Sequence, residues 1–170
     1  MKLKFIILFC LVSIFFCFAN AYAKEFLEKC IVVKEKSNGI VCDVKICKEE
    51  ISRSGKSVNM NIGIWGRDWG PGAKEAKFFI RHIQVDINGE NVHIPYSAYS
   101  DLANPNKVTL KIVNGARVIV EIDGGETSTH YIATLTFEKG NLINRLVKDC
   151  EFPDEVWEET KYNWIEPSDR

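Results

Sequence analysis

Ile31-Val32-Val33-Lys34-Glu35-Lys36-Ser37-Asn38-Gly39-Ile40-Val41-Cys42-Asp43-Val44-Lys45-Ile46 consists of two alternating runs around an Asn-Gly pair. Asn-Gly adopts the positive-φ conformations of tight hairpin turns, so it is the strongest short hairpin signal. With Asn38-Gly39 as a two-residue loop, Ser37 faces Ile40, Glu35 faces Cys42, Val33 faces Val44 and Ile31 faces Ile46. That face is largely apolar and points to a core. The other face pairs Lys34 with Asp43, Val32 with Lys45 and Cys30 with Cys47. Counting out from the turn, Cys30 and Cys47 form a non-hydrogen-bonded pair, where Cβ atoms lie closest, which suits a disulfide.

The same signal recurs downstream. Around Asn88-Gly89, Ile83, Val85 and Ile87 line up with Ile94, Val92 and Glu90, and Gln84, Asp86, Asn91 and His93 form the wet face. Around Asn114-Gly115, a three-residue loop pairs Val108 with Val120, Leu110 with Val118 and Ile112 with Ala116. A fourth hairpin runs through 129–138 and 142–151 about Gly140-Asn141. Its return strand sets Leu142, Leu146 and Cys150 on one face, against Tyr131, Leu135 and Phe137. An inward Cys150 then meets the inward Cys42, so the expected disulfides are Cys30–Cys47 and Cys42–Cys150. Residues 58–65 read as a further strand, and 155–164 as a strand in preference to a helix. The expected fold is all-β: an antiparallel β-sandwich or partly closed barrel of roughly nine short strands, stapled by disulfides.

Upstream of this domain, Lys2 and Lys4 precede an apolar run from Phe5 to Phe18, which ends at Ala21-Tyr22-Ala23. Positive flank, short apolar stretch and small-x-small site are the parts of a cleavable signal peptide, residues 1–23. The run is shorter than the roughly 18 residues a spanning helix needs, so no stable membrane insertion is expected after cleavage. Cys10 and Cys17 lie inside it, and the bulky Ile14-Phe15-Phe16 before Cys17 does not suit lipidation. The remaining residues, 24–170, form a single β domain. Export, to the periplasm or beyond the cell, makes four surviving cysteines a disulfide framework. Removing Lys2 and Lys4 leaves 20 basic against 23 acidic residues. That near balance argues against a nucleic-acid partner.

Three loops carry candidate chemistry. Trp65, Arg67, Asp68 and Trp69, among turn-forming glycines, offer apolar ring faces beside charges that hydrogen-bond hydroxyls or chain termini. Tyr96 and Tyr99 lie on a long crossover from Pro95 to Pro105. Asp123-Gly124-Gly125-Glu126 lacks the alternating oxygen donors of a calcium loop. Ser97, Ser100 and Asp101 have no histidine in a fixed relation to them, so no catalytic triad is legible. No metal set is legible either. Cys42 and Cys47 lack zinc-knuckle spacing, and His82 and His93 share a wet face without a third ligand. The expectation is therefore no cofactor and a non-catalytic binding module of the cell envelope, with an envelope protein or polysaccharide as partner. The alternatives are a small hydrolase of an envelope polymer, using acids such as Asp68, Asp101 or Glu126, and a structural subunit contacting others through its acidic C-terminal segment.

Overall fold

The computed structural model describes residues 29–50, 76–113, 117–126 and 129–164. They form two antiparallel sheets. The first comprises β1 (Lys29–Ser37), β2 (Ile40–Glu50), β3 (Phe78–Ile87) and β4 (Glu90–Val92) in that order. The second comprises β5 (Pro105–Val113), β6 (Arg117–Gly124), β7 (Tyr131–Glu138), β8 (Asn141–Asp149) and β9 (Val156–Lys161), also in chain order. Buried residues of both sheets meet in one cluster, including Val44, Ile46 and Val85 from the first and Val120, Ile122, Leu135 and Phe137 from the second. This is a β-sandwich. Segment 155–164 contributes the strand β9, as the alternation predicts, and the strand expected at 58–65 lies outside the described residues.

The β1–β2 hairpin has the register its turn dictates. Every predicted pair is present, from Ser37 opposite Ile40 to Cys30 opposite Cys47. Asn38 and Gly39 both take positive φ, 51° and 81°. Cys30 and Cys47 are disulfide-bonded, with Cα atoms 4.0 Å apart, and Lys34 meets Asp43 at 2.6 Å across the outer face. In the second hairpin Val85 pairs with Val92 and Ile87 with Glu90. Pairing ends at Val92, so Ile94 packs on the core without opposing Ile83.

Two hairpins correct the expectation. In β5–β6, Val108 opposes Ile122, Leu110 opposes Val120 and Ile112 opposes Val118. The slip is two residues, so the same side chains stay inside. The observed register replaces Ala116 by Ile122 among the inner partners, giving three branched apolar pairs in place of two. In β7–β8 the turn residues are Lys139 and Gly140, and Glu138 opposes Asn141. A bulge then intervenes: Phe137 opposes Leu142, but Thr136 opposes Asn144, leaving Ile143 as the extra residue. One inserted residue reverses the facing of everything beyond it. Arg145 and Val147 therefore turn inward, and Leu146 and Cys150 fall on the opposite face from Leu142. The expected Cys42–Cys150 disulfide does not form. Cys42 is a free thiol in the core, and Cys150 is a free, half-buried thiol on the outer side of the other sheet.

The crossover from β4 to β5 is stitched to both sheets. Asn104 donates its backbone N–H to the Phe78 carbonyl at 2.8 Å, and its side-chain oxygen accepts from Lys77 and Phe78 N–H groups at 2.9 and 3.1 Å. Ala103 bridges to Phe79, and its carbonyl accepts from the buried Tyr131 hydroxyl at 3.0 Å. Gly124 makes that last bond possible. A Cβ there would lie 2.3 Å from the Tyr131 oxygen and 2.5 Å from the ring.

Candidate functional site

Of the six candidate ligand-binding residues, Trp65, Arg67, Asp68 and Trp69 lie outside the described residues. Tyr96 and Tyr99 are described, and the structure brings them together. A single 3-10 turn, Tyr96–Ala98, folds the loop through Ala98 N–H to Pro95 O at 2.9 Å and Ser100 N–H to Tyr96 O at 3.0 Å. Tyr99 is buried, and Tyr96 is 66% exposed. Their rings meet edge to face with centroids 5.4 Å apart, a favourable geometry for two quadrupoles. The inner ring thus supports the outer one.

Two residues after Tyr99, Asp101 anchors the loop. Both of its carboxylate oxygens accept from Arg145 Nη2, at 2.8 and 2.7 Å. Arg145 is only 2% exposed, and its Nη1 donates to Glu158 on β9, which also accepts from the Thr160 hydroxyl at 2.9 Å. A guanidinium enters a core only when paired in this way. Burial raises the Asp101 carboxyl above the ordinary carboxylate range, while Arg145 pulls it back. Asp101 thus serves as counter-ion to Arg145, with both oxygens engaged. Glu158 is similarly committed, and Glu159 accepts from Asn144 at 2.8 Å, so part of the acidic C-terminal segment is satisfied within the sheet.

A second cluster was invisible to sequence reasoning. Asp123 is the penultimate residue of β6, His130 immediately precedes β7 and Cys150 immediately follows β8, three neighbouring strands. Their potential ligand atoms all lie within 4.8 Å of one another. His130 donates from Nε2 to Asp123 Oδ1 at 2.8 Å, and the Cys150 N–H donates to the His130 carbonyl at 3.0 Å. The ladder explains the grouping. Asp123 opposes Ile132 and Tyr131 opposes Asp149, which sets Asp123, His130 and Cys150 on the outer face at one end of the sheet. Burial raises the Cys150 thiol, and Asp123, Asp149 and Glu151 raise it further. A nucleophilic thiol needs a neighbourhood that lowers its pKa; this acidic surround disfavours thiolate and attracts cations. His82 and His93 are not part of it. His82 lies opposite Cys47, and the His93 ring meets Trp164 edge-on at 5.8 Å. No sequence spacing marks the trio, because its assembly depends on the Ile143 bulge.

The chain matches no family model, no curated protein and no solved structure.

Proposed function

We propose that this chain is an exported, non-catalytic binding module of the cell envelope, with Tyr96 as a contact residue for an envelope polysaccharide or protein. The observation that carries the reading is the exposed Tyr96 ring, seated on the buried Tyr99 in a loop held by the Asp101–Arg145 pair. Aromatic rings supply large contact area at low entropic cost, and a contact residue on a rigid support loses less freedom on binding. The leader-like residues 1–23 and the Cys30–Cys47 disulfide support export.

Glycan-array binding and pull-down from envelope extract test the proposal, with Tyr96→Ala as the control. The expected result is a retained partner for the wild type and about tenfold weaker binding for the variant, which stays folded with a melting temperature lower by only a few degrees from loss of the Tyr96–Tyr99 ring contact. Absence of any partner in both assays, or a partner indifferent to Tyr96→Ala, rejects this reading.

A further inference from the structure

We propose that Asp123, His130 and Cys150 form a zinc site with an open fourth position. Three observations converge. The donors comprise one sulfur, one imidazole nitrogen and one carboxylate oxygen, the three ligand types that Zn²⁺ accepts; Mg²⁺ and Ca²⁺ select oxygen alone. Their spacing fits. Donors around a tetrahedral zinc stand about 3.3–3.8 Å apart, given bonds of about 2.0–2.3 Å. Here the Asp123–His130 pair is at 2.8 Å and all three lie within 4.8 Å, so adjustments within side-chain reach bring them around one ion, which displaces the thiol proton of Cys150 and the imidazole proton shared with Asp123.

The backbone also holds the donors in place. His130 and Cys150 are hydrogen-bonded neighbours across β7–β8. The Thr129 hydroxyl, just ahead of His130, donates to the Glu126 carbonyl at 2.8 Å. On the other side, the Asp149 carboxylate accepts from the N–H groups of Glu151 and Phe152, at 2.7 and 2.9 Å, and fixes the chain leaving Cys150. Donors on paired strands and tied turns give a pre-shaped site. The free thiol fits the same assignment. The chain carries a disulfide between Cys30 and Cys47, yet Cys150 stays unpaired and half-buried beside a histidine and an acid. Three protein ligands leave a coordination position for water or an incoming donor, as in open zinc sites.

Cobalt substitution tests the assignment on the tag-free protein as the cell processes it. One equivalent of Co²⁺ should produce a near-ultraviolet thiolate-to-metal charge-transfer band with tetrahedral visible bands, and Zn²⁺ should displace it. Cys150→Ser should abolish the charge-transfer band. Asp123→Asn and His130→Gln should each weaken Co²⁺ binding by at least ~10-fold, the loss seen even for outer-shell changes at metal sites. Cys42→Ala should leave the spectrum intact. Metal-free melting temperatures show that each variant is folded. A wild type without the charge-transfer band, or a band that survives Cys150→Ser, overturns the proposal.

Discussion

The first and fourth hairpins begin alike and end differently. Both turn through two residues of positive φ, Asn38-Gly39 at 51° and 81°, and Lys139-Gly140 at 49° and 75°. In the first, all nine pairs keep step from Ser37 to Lys29. In the fourth, step is lost after only two pairs, where Ile143 is inserted. A turn therefore dictates facing only as far as the next bulge. Beyond it the β8 chain carries an inward arginine and an outward cysteine, so the bulge accounts for both the buried ion cluster and the Asp123–His130–Cys150 grouping.

The largest effect that can break this comparison lies at Arg145. Arg145→Ala leaves the partly buried Asp101 and Glu158 carboxylates without their cation and empties a buried site, and should cost about 2–4 kcal/mol in urea unfolding. The triple change Arg145→Met with Asp101→Asn and Glu158→Gln should recover much of that loss. A loss below about 1 kcal/mol for Arg145→Ala would place its side chain in solvent and restore unbroken alternation to β8.

An intermediate effect tests the inward cysteine of the first hairpin. Burial, with Asp43 and Asp86 nearby, pushes the Cys42 thiol from 9.0 up to about 11. The folded state then holds this proton more tightly than the unfolded chain. Its contribution to stability is complete below about pH 9 and is lost as the pH rises to about 11, by about 2–3 kcal/mol. Urea unfolding across that range should show the fall in the wild type, and Cys42→Ala should remove that component. An unchanged slope would mean that Cys42 does not sit in the core.

The smallest effect sharpens the likeness of the two turns. Lys139 occupies the left-handed region that asparagine tolerates better, so Lys139→Asn should stabilise the protein by about 0.5 kcal/mol. Differential scanning calorimetry should report a slightly higher melting temperature. A lower one would show that the lysine side chain, rather than the backbone, governs this turn.

The contrast also separates what is legible in the amino-acid sequence from what is not. Alternation and Asn-Gly were enough for an antiparallel sandwich, for the whole β1–β2 register and for the Cys30–Cys47 bond. In the third hairpin, alternation named the inward residues while the register slipped by two, because both registers bury the same face. In the fourth, nothing local announced Ile143 as an extra residue, and a single uncounted position reversed Arg145, Leu146 and Cys150. Tyr96 was legible as an aromatic on a crossover, but its support by Tyr99 was not. Asp123 was legible as a loop acid, and its neighbours His130 and Cys150 were hidden behind the bulge.

Gly124 constrains its neighbourhood in a way that no pairing pattern records. Its missing side chain is a window in β6, through which the Tyr131 phenol reaches the Ala103 carbonyl on the crossover. Any larger residue at 124 shuts that window and expels the ring; a smaller one at 131 leaves the window open onto nothing. The two positions are therefore a lock and its key: the joint between β6 and the crossover needs the bare backbone at 124 and the phenol at 131 at once.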